Sequence, residues 1–181
     1  MTLTTTPTTD NLQPATHTTD RRPWLFLLSA FVILCDRLSK NWIIHRIRPG
    51  YDIPIIHGVF RLSHVINTGA AFSLLENLPP NGVRIALVAF SVVAAIIVFG
   101  LLWFTGRTLS LTSVALALIL GGALGNLYDR IRLHHVVDFL AVRIYHYNWP
   151  DFNVADSCIV IGACLLLLEM FRPTPHDSQP S

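Results

Sequence analysis

Charged residues are scarce in this sequence: Asp, Glu, Lys and Arg make up 13% of its 181 residues, whereas 52% are hydrophobic. Soluble globular domains carry roughly 25% charged residues, so this composition disfavours a protein with a water-facing surface. The formal net charge of +2 is too small, and the basic residues are too scattered, to predict a nucleic-acid-binding protein. The composition instead predicts a chain that lies in a bilayer.

Cysteine is also scarce, and the common signatures of metal and serine hydrolases are missing. The three cysteines lie in apolar runs and are interpreted as buried hydrophobic residues without a redox role: Cys35, Cys158 and Cys164. The sequence has no His-Glu-x-x-His motif and no Gly-x-Ser-x-Gly elbow. His134 and His135 lie near Asp138, but adjacent histidines on a helix point in different directions. We therefore predict neither a metal nor another cofactor.

The two ends of the chain lack large apolar residues. Residues 1–22 are rich in threonine, and residues 173–181 are polar. Neither segment can bury enough apolar surface to offset the entropy lost on ordering, so both are predicted to be disordered tails. The first is predicted not to be a signal peptide, because the charged-then-apolar pattern begins only at Arg21 and no small-residue cleavage site follows. The domain is predicted to cover residues 23–172.

Long apolar segments fill this domain. There are four of them, at residues 24–44, 83–105, 109–127 and 152–171. A helix needs about 20 mainly apolar residues to cross a hydrocarbon core ~30 Å thick. We therefore predict an all-α membrane protein with four transmembrane helices and with both termini on one side. Gly121 and Gly125 lie on one face of the third helix, which favours close helix packing.

The connections on the other side of the membrane differ in character. Residues 45–82 contain short β-branched runs and a turn-like Asn67-Thr68-Gly69, which predict a small β platform at the membrane surface. Residues 128–151 are predicted to hold one short helix. Nearly all polar residues of the four segments lie toward this side: Asp36, Arg37, Lys40, Arg84, Asn126, Asn153 and Asp156. The protein is therefore expected to be functionally one-sided.

Two local charge patterns lie within these segments. Asp36 precedes Lys40 by four positions, the favourable order for a helical ion pair, which would make both charges tolerable near lipid. Asp129 and Arg130 follow the third apolar segment. They are either a charge pair at the membrane interface or part of a functional site.

Asp138 and Asp156 are less easily explained by structure. Asn153 is a good N-cap for the fourth helix, and Asp156 falls in its first turn, where the helix dipole favours an anion. Capping needs only one polar side chain, however, and Asp138 has no such role. Two neighbouring carboxylates that share a proton supply one base and one acid, which is enough to hydrolyse an amide.

Five short blocks of the chain resemble, in their order, the lipoprotein signal peptidases, also called signal peptidase II. They are "DRLSK" at 36–40, "NTGAAFS" at 67–73, "GGALGNLYDR" at 121–130, "VVDF" at 136–139 and "FNVADS" at 152–157. The resemblance implies a four-helix aspartic protease of the bacterial cytoplasmic (inner) membrane. Such an enzyme removes signal peptides from prolipoproteins by cutting just before the diacylglyceryl-modified cysteine.

The family pattern also implies roles for individual residues. By motif, the catalytic pair is Asp138 and Asp156. The supporting or substrate-binding residues are Asp36, Lys40, Asn67, Gly69, Asn126, Asp129, Arg130 and Asn153. The β platform and a short mobile periplasmic helix would lie at the extracytoplasmic face, beside the active site. The expected partners are diacylglyceryl-modified prolipoproteins and membrane phospholipid, with no nucleic acid and no metal, and the protein is expected to be monomeric.

Two features depart from expectation. The family usually has Asp-Gln in the first block, whereas this chain has Asp36-Arg37; Arg37 is predicted to face lipid headgroups with little effect on catalysis. With the active site outside, four Lys and Arg residues lie on the cytoplasmic side and nine on the other, the reverse of the positive-inside rule. The orientation therefore follows from the resemblance alone.

Non-enzymatic functions remain as alternatives. Paired aspartates relay protons in some transporters, and a lipoprotein assembly factor would bind the same substrates. The lack of an internal repeat and of a central polar path argues against a transporter. An assembly factor would not need two carboxylates in apolar surroundings.

Overall fold

The computed structural model describes residues 19–69 and 79–172. Four long helices and four strands follow one another along this part of the chain. In chain order they are α1 (Arg22–Arg46), β1 (Asp52–Ile56), β2 (Phe60–Asn67), α2 (Pro80–Thr105), α3 (Leu111–Arg132), β3 (Val136–Ile144), β4 (Tyr147–Asn148) and α4 (Val154–Met170). The predicted disordered tails lie outside the described residues, apart from residues 19–22, where α1 begins.

Helix α3 lies at the centre of the bundle and packs against α1, α2 and α4. The predicted small-residue face of α3 is confirmed. A Cβ atom on Gly121 would lie 2.7 Å from Val32 Cβ, and one on Gly125 would lie 2.9 Å from Asp36 Oδ2. Only glycine allows α1 to approach this closely, and the approach brings the Asp36 carboxylate to the α3 backbone.

Two of the four helices are long and apolar enough to cross a membrane by themselves. These are α2, over Asn81–Thr105, and α3, over Leu111–Arg132. Helix α1 carries Asp36, Arg37 and Lys40, and α4 has only 17 residues, close to the lower end of the range of about 17–25 for a span. The apolar helices make this a membrane protein, and the count of four spans stays a prediction.

The strands form one antiparallel sheet in the order β1-β2-β3-β4. β2 and β3 pair so that Val65 lies opposite Asp138 and Asn67 lies opposite Val136. The inner face of the sheet packs on the end of α1 through a buried cluster of Ile43, Ile47, Val137 and Phe139. This cluster fixes β3, and with it Asp138, against the polar end of the bundle.

The prediction of a short helix within residues 128–151 is wrong. Helix α3 extends to Arg132, and the chain then forms β3 and β4. Residues 136–139 of β3 are all buried, so the first half of this strand is covered on both of its faces, and its backbone pairs with β2. The β platform is therefore larger than predicted, because it takes strands from both connections.

Candidate active site

Asp138 and Asp156 come from different elements and meet at the end of the bundle. Asp138 lies on β3 and is 2% exposed, and Asp156 lies in the first turn of α4. Two asparagines connect the carboxylates. Asn153 Nδ2 donates to Asp138 Oδ1 at 2.7 Å, and Asn126 Nδ2 donates to Asp156 Oδ1 at 2.7 Å.

The two asparagines also contact each other. Asn126 Oδ1 accepts a hydrogen bond from Asn153 Nδ2 at 3.2 Å, so an unbroken chain of side chains runs from Asp138 to Asp156. Both amides are buried, and each donates to one carboxylate. The amide pair therefore holds the two carboxyl groups in a fixed relation.

The predicted N-cap of α4 is confirmed, and it positions Asp156. Asn153 Oδ1 accepts from the Asp156 backbone N–H at 2.9 Å, and Asp156 Oδ2 accepts from the Asn153 backbone N–H at 3.3 Å. This reciprocal capping box satisfies the first backbone donors of the helix. It leaves Asp156 Oδ1 to face Asn126.

The end of β2 supplies the second donor to Asp138. Asn67 Nδ2 donates to Asp138 Oδ2 at 3.0 Å, and Asn67 Oδ1 accepts from the Gly69 N–H at 2.9 Å. Gly69 has a φ of +85°, and a Cβ atom there would collide with the Leu87 side chain of α2. The turn therefore requires glycine, and it fixes the Asn67 amide against the carboxylate.

Burial raises the pKa of Asp138 to about 6, and the nearby charge of Asp156 acts in the same direction. The hydrogen bonds from Asn67 and Asn153 oppose the shift but do not cancel it. A carboxyl group with a pKa near neutrality can both take up and release a proton at physiological pH.

A buried ionic cluster lies behind the amide pair. The Lys40 ammonium lies 2.8 Å from Asp36 Oδ2, which confirms the predicted ion pair, and 2.8 Å from Asp129 Oδ2. Lys40 also donates to Asn126 Oδ1 at 3.0 Å. All three charged side chains are fully buried in the protein. The ion pair is therefore not exposed to lipid, which differs from the prediction. Asp36 Oδ1 accepts from the Ala155 N–H at 3.0 Å and so attaches α1 to the start of α4.

Arg37 was predicted to contact lipid headgroups, but the structure places its guanidinium against two protein side chains. Its guanidinium forms an ion pair with Asp129 and stacks over the Tyr128 ring at 4.4 Å. Asp129 is therefore paired with Arg37 and Lys40 of α1. Its sequence neighbour Arg130 points elsewhere, since its guanidinium donates to Ser91 Oγ of α2 at 3.4 Å.

An apolar cavity of about 580 Å³ opens beside Asp156, between α2, α3 and α4. Its polar end is formed by Asn126, Arg130 and Asp156. The remaining lining is almost entirely apolar and includes Leu87, Phe90, Ala94, Val98, Ile119 and Ile159. An apolar segment or acyl chain that fills this cavity would place its polar end at Asp156.

The histidines near the site do not form a metal centre with the acids. In residues 19–69 and 79–172 there is no group of three or more His, Cys, Asp or Glu side chains suited to a metal ion. His64 is buried, and its Nδ1 lies 2.6 Å from the Ile47 carbonyl, where it joins β2 to the end of α1.

All the predicted site residues gather at one end of the bundle. Two features were missed by the sequence interpretation: the role of Arg37 and the cavity wall formed by α2. No local signal identifies Arg37, because its partner Asp129 is 92 residues away in the chain. In sequence, the part of α2 that lines the cavity looks like an ordinary apolar helix. Ser91 is the one polar residue among those that line it.

Comparison with known proteins assigns this arrangement to a family. A family model described as "Signal peptidase (SPase) II" matches residues 28–172. The lipoprotein signal peptidase of Syntrophotalea carbinolica is 39% identical over 82% of this chain and 91% of its own length. That of Moorella thermoacetica is 42% identical over 85% of this chain and 97% of its own length.

Solved structures agree with this assignment. Two described as bacterial membrane enzymes superpose with TM-scores of 0.70 and 0.69, at 26% and 28% sequence identity. The first match covers 88% of this chain and 94% of the solved one, and the second covers 84% and 95%. The similarity therefore extends over the helices and the sheet together.

Proposed function

The chain belongs to the signal peptidase II family of lipoprotein-processing proteases, and we propose that it works as an intramembrane aspartic endopeptidase. It removes signal peptides from bacterial prolipoproteins by cutting just before the diacylglyceryl-modified cysteine. The observation that carries this proposal is the pair of carboxylates, Asp138 and Asp156, joined through two buried amides, with Asp156 at the polar end of an apolar cavity.

The catalytic step needs only the two carboxyl groups and a water molecule. One carboxylate takes a proton from the water, which attacks the peptide carbonyl, while the other, protonated carboxyl donates to the carbonyl oxygen. The carboxyl group that took up the water proton then donates it to the nitrogen of the scissile bond as the C–N bond breaks, and the other carboxylate takes a proton back from the collapsing tetrahedral intermediate. The raised pKa of Asp138 supports a pair that holds one proton near neutral pH. No metal or other cofactor is needed.

The supporting residues have separate tasks in this proposal. Asn67, Asn126 and Asn153 orient the carboxyl groups, and Gly69 fixes Asn67. Asp36, Lys40 and Asp129 hold Asn126 and the start of α4. Arg130 lies at the polar end of the cavity with Asp156, where its charge can hold a carbonyl or phosphate-like group of the substrate.

The substrate is proposed to use the cavity as its docking site. A signal peptide contributes an apolar helix and the modified cysteine contributes acyl chains, and both match an apolar wall that ends in polar groups. Membrane phospholipid would fill the cavity when substrate is absent. The protein is proposed to act as a monomer, since all of these site residues belong to one chain.

Cleavage of a purified substrate tests the proposal. We expect the purified protein to cut a diacylglyceryl-modified prolipoprotein and to leave the unmodified precursor intact, because the acyl chains supply much of the apolar contact. A preparation that cuts neither precursor but moves protons across vesicle membranes would instead support a transporter. Binding of the modified precursor without cleavage or proton movement would support an assembly factor.

The proposed location is the bacterial inner membrane, with multiple spans and with the active site at the extracytoplasmic face. Both termini would then be cytoplasmic. We expect an alkaline phosphatase fused after Arg172 to be inactive and one inserted in the connection between α1 and β1 to be active. The reverse pattern would overturn the orientation and would agree with the positive-inside count.

A further inference from the structure

The ionic cluster behind the site contains two carboxylates and two cations. Asp36, Lys40 and Asp129 are fully buried, and Arg37 is 24% exposed. Lys40 contacts both carboxylates, and Arg37 pairs with Asp129. The cluster is therefore electrically neutral only when Arg37 is present.

Arg37 is held firmly at the rim of this cluster. Its guanidinium pairs with the Asp129 carboxylate and lies 4.4 Å from the centre of the Tyr128 ring. Ion pairing and ring stacking act on different parts of the planar group, so both are made at once. A side chain with this arrangement contributes its charge at a fixed position.

The cluster is connected to the proposed catalytic pair through a single amide. Lys40 donates to Asn126 Oδ1 at 3.0 Å, and Asn126 Nδ2 donates to Asp156 Oδ1 at 2.7 Å. The ammonium thereby sets which atom of the amide faces Asp156. A change in the net charge of the cluster therefore acts on the pair through two consecutive hydrogen bonds.

We propose that Arg37 is a positioning residue that keeps this cluster neutral and thereby sets the pH range in which Asp138 and Asp156 share a proton. The inference rests on the proposed aspartic protease function. Without Arg37, one lysine faces two carboxylates and the cluster carries an excess negative charge. That charge opposes ionisation of the catalytic pair, so the whole bell-shaped pH profile moves to higher pH.

Other charged and titratable groups also face the pair, and all of them except Asp129 stay constant in the test. Asp36 and Lys40 come from α1, and Asp129 and Arg130 come from α3. On α4, the Cys158 thiol lies near Asp36. The α2 residues described at the cavity wall carry no charge. Arg37 and Asp129 are therefore a pair of opposite charges that can be removed singly or together.

The test compares three variants of the full chain: Arg37→Gln, Asp129→Asn and the double variant. The pH dependence of kcat/KM is measured on a diacylglyceryl-modified prolipoprotein. We expect the Arg37→Gln profile to move up by about 0.5 to 1 pH unit and the Asp129→Asn profile to move down by a similar amount. In the double variant the two changes cancel, and the midpoints return to within about 0.2 unit of the wild type.

Arg37→Lys separates charge from shape. It keeps the positive charge but loses the planar group that stacks on Tyr128. We expect its profile midpoints to match the wild type, whatever its maximal rate. This variant also keeps the inference testable if Asp129→Asn fails to fold, because Arg37→Gln and Arg37→Lys must then differ in midpoint.

Three results would overturn the inference: unchanged midpoints in Arg37→Gln, shifts of the same sign in Arg37→Gln and Asp129→Asn, or a double variant displaced further than either single one. Each would assign Arg37 a structural role alone. These results differ from a failure of the proposed function, in which the wild-type protein cuts no prolipoprotein at any pH.

Discussion

The molecule contains two pairs of acids whose surroundings differ; Asp36, Asp129 and Asp138 are buried, and Asp156 is partly buried. Asp36 and Asp129 face cations, because Lys40 lies 2.8 Å from both and Arg37 pairs with the second. Asp138 and Asp156 are held by the neutral amides of Asn67, Asn126 and Asn153. In the described part of the chain, no ion pair includes Asp138 or Asp156.

This difference separates a structural pair, Asp36 and Asp129, from the pair proposed to be reactive, Asp138 and Asp156. A carboxylate beside a buried cation is held by a full opposite charge, so it serves to join the helices that carry the two partners. An amide donor orients a carboxylate without adding a full charge, so the proton remains exchangeable. The same residue type therefore serves two purposes at one end of the bundle, and the neighbouring groups decide which.

The largest expected effect is the loss of either reactive acid. Asp138→Asn and Asp156→Asn each keep the shape of the side chain but cannot exchange the proton, so we expect cleavage to fall by about 10² to 10⁴-fold. The double variant should be little slower than either single one, because the two groups act as a unit. Cleavage of a lipid-modified prolipoprotein by the purified variants measures this.

Two controls sharpen that experiment. Asp52→Asn removes an exposed carboxylate that pairs with Arg61 away from the site, and it should cleave normally. EDTA should leave the wild type unaffected. Substantial activity in Asp138→Asn, or inhibition by the chelator, would contradict the two-aspartate mechanism.

Loss of the cation that faces Asp36 and Asp129 should lower the stability of the protein. Lys40→Met leaves two buried carboxylates with only Arg37 to compensate them, so we expect a loss of about 3 to 5 kcal/mol in the free energy of unfolding. Unfolding in detergent, followed by circular dichroism, measures it. Arg61→Met removes one partner of a partly exposed pair and should change stability by less than about 1 kcal/mol. Equal losses of unfolding free energy in Lys40→Met and Arg61→Met would contradict a structural role for the buried ion pair.

The amides are expected to have an intermediate effect on turnover. Asn67→Ala, Asn126→Ala and Asn153→Ala each remove a hydrogen bond to a carboxylate, which is typically worth about 1.5 to 3 kcal/mol, so turnover should fall by about tenfold to a hundredfold. Each variant should still insert in the membrane, which is checked by membrane fractionation. If all three cleave at the normal rate, the assignment of the site is wrong.

The smallest expected effect is the pH dependence of stability. The pKa of Asp138 is raised from 3.8 to about 6, so the folded protein binds more protons than the unfolded chain between these values. Its contribution therefore makes the wild type less stable as the pH rises, by about 2 kcal/mol between pH 4.5 and pH 7.5. Asp138→Asn lacks that dependence.

The measurement compares the free energies of unfolding of the two proteins at pH 4.5 and pH 7.5. The difference between them should shift in favour of Asp138→Asn at the higher pH. A difference that does not change with pH would show that burial does not hold the proton on Asp138.

Sequence and structure agree most closely where the signal is local. The ion pair of Asp36 with Lys40 and the cap of α4 by Asn153 both follow from spacings within one turn of helix, and both are confirmed. The third apolar segment was predicted to end at residue 127, whereas α3 continues to Arg132. Hydropathy ends there because the polar side chains begin, but the helix continues because those side chains find partners inside the protein.

The sequence by itself determined the class of this protein and predicted which residues would form its site, because hydropathy, helical spacing and short motifs are properties of neighbouring residues. Only the tertiary structure decided which acids face cations and which face amides. Asp129 faces Lys40 and Arg37, and Asp138 reaches Asn153, through contacts between elements that are distant in the chain. A carboxylate beside a cation and a carboxylate beside an amide look alike in sequence, and their electrostatic surroundings exist only after the helices and the sheet have packed.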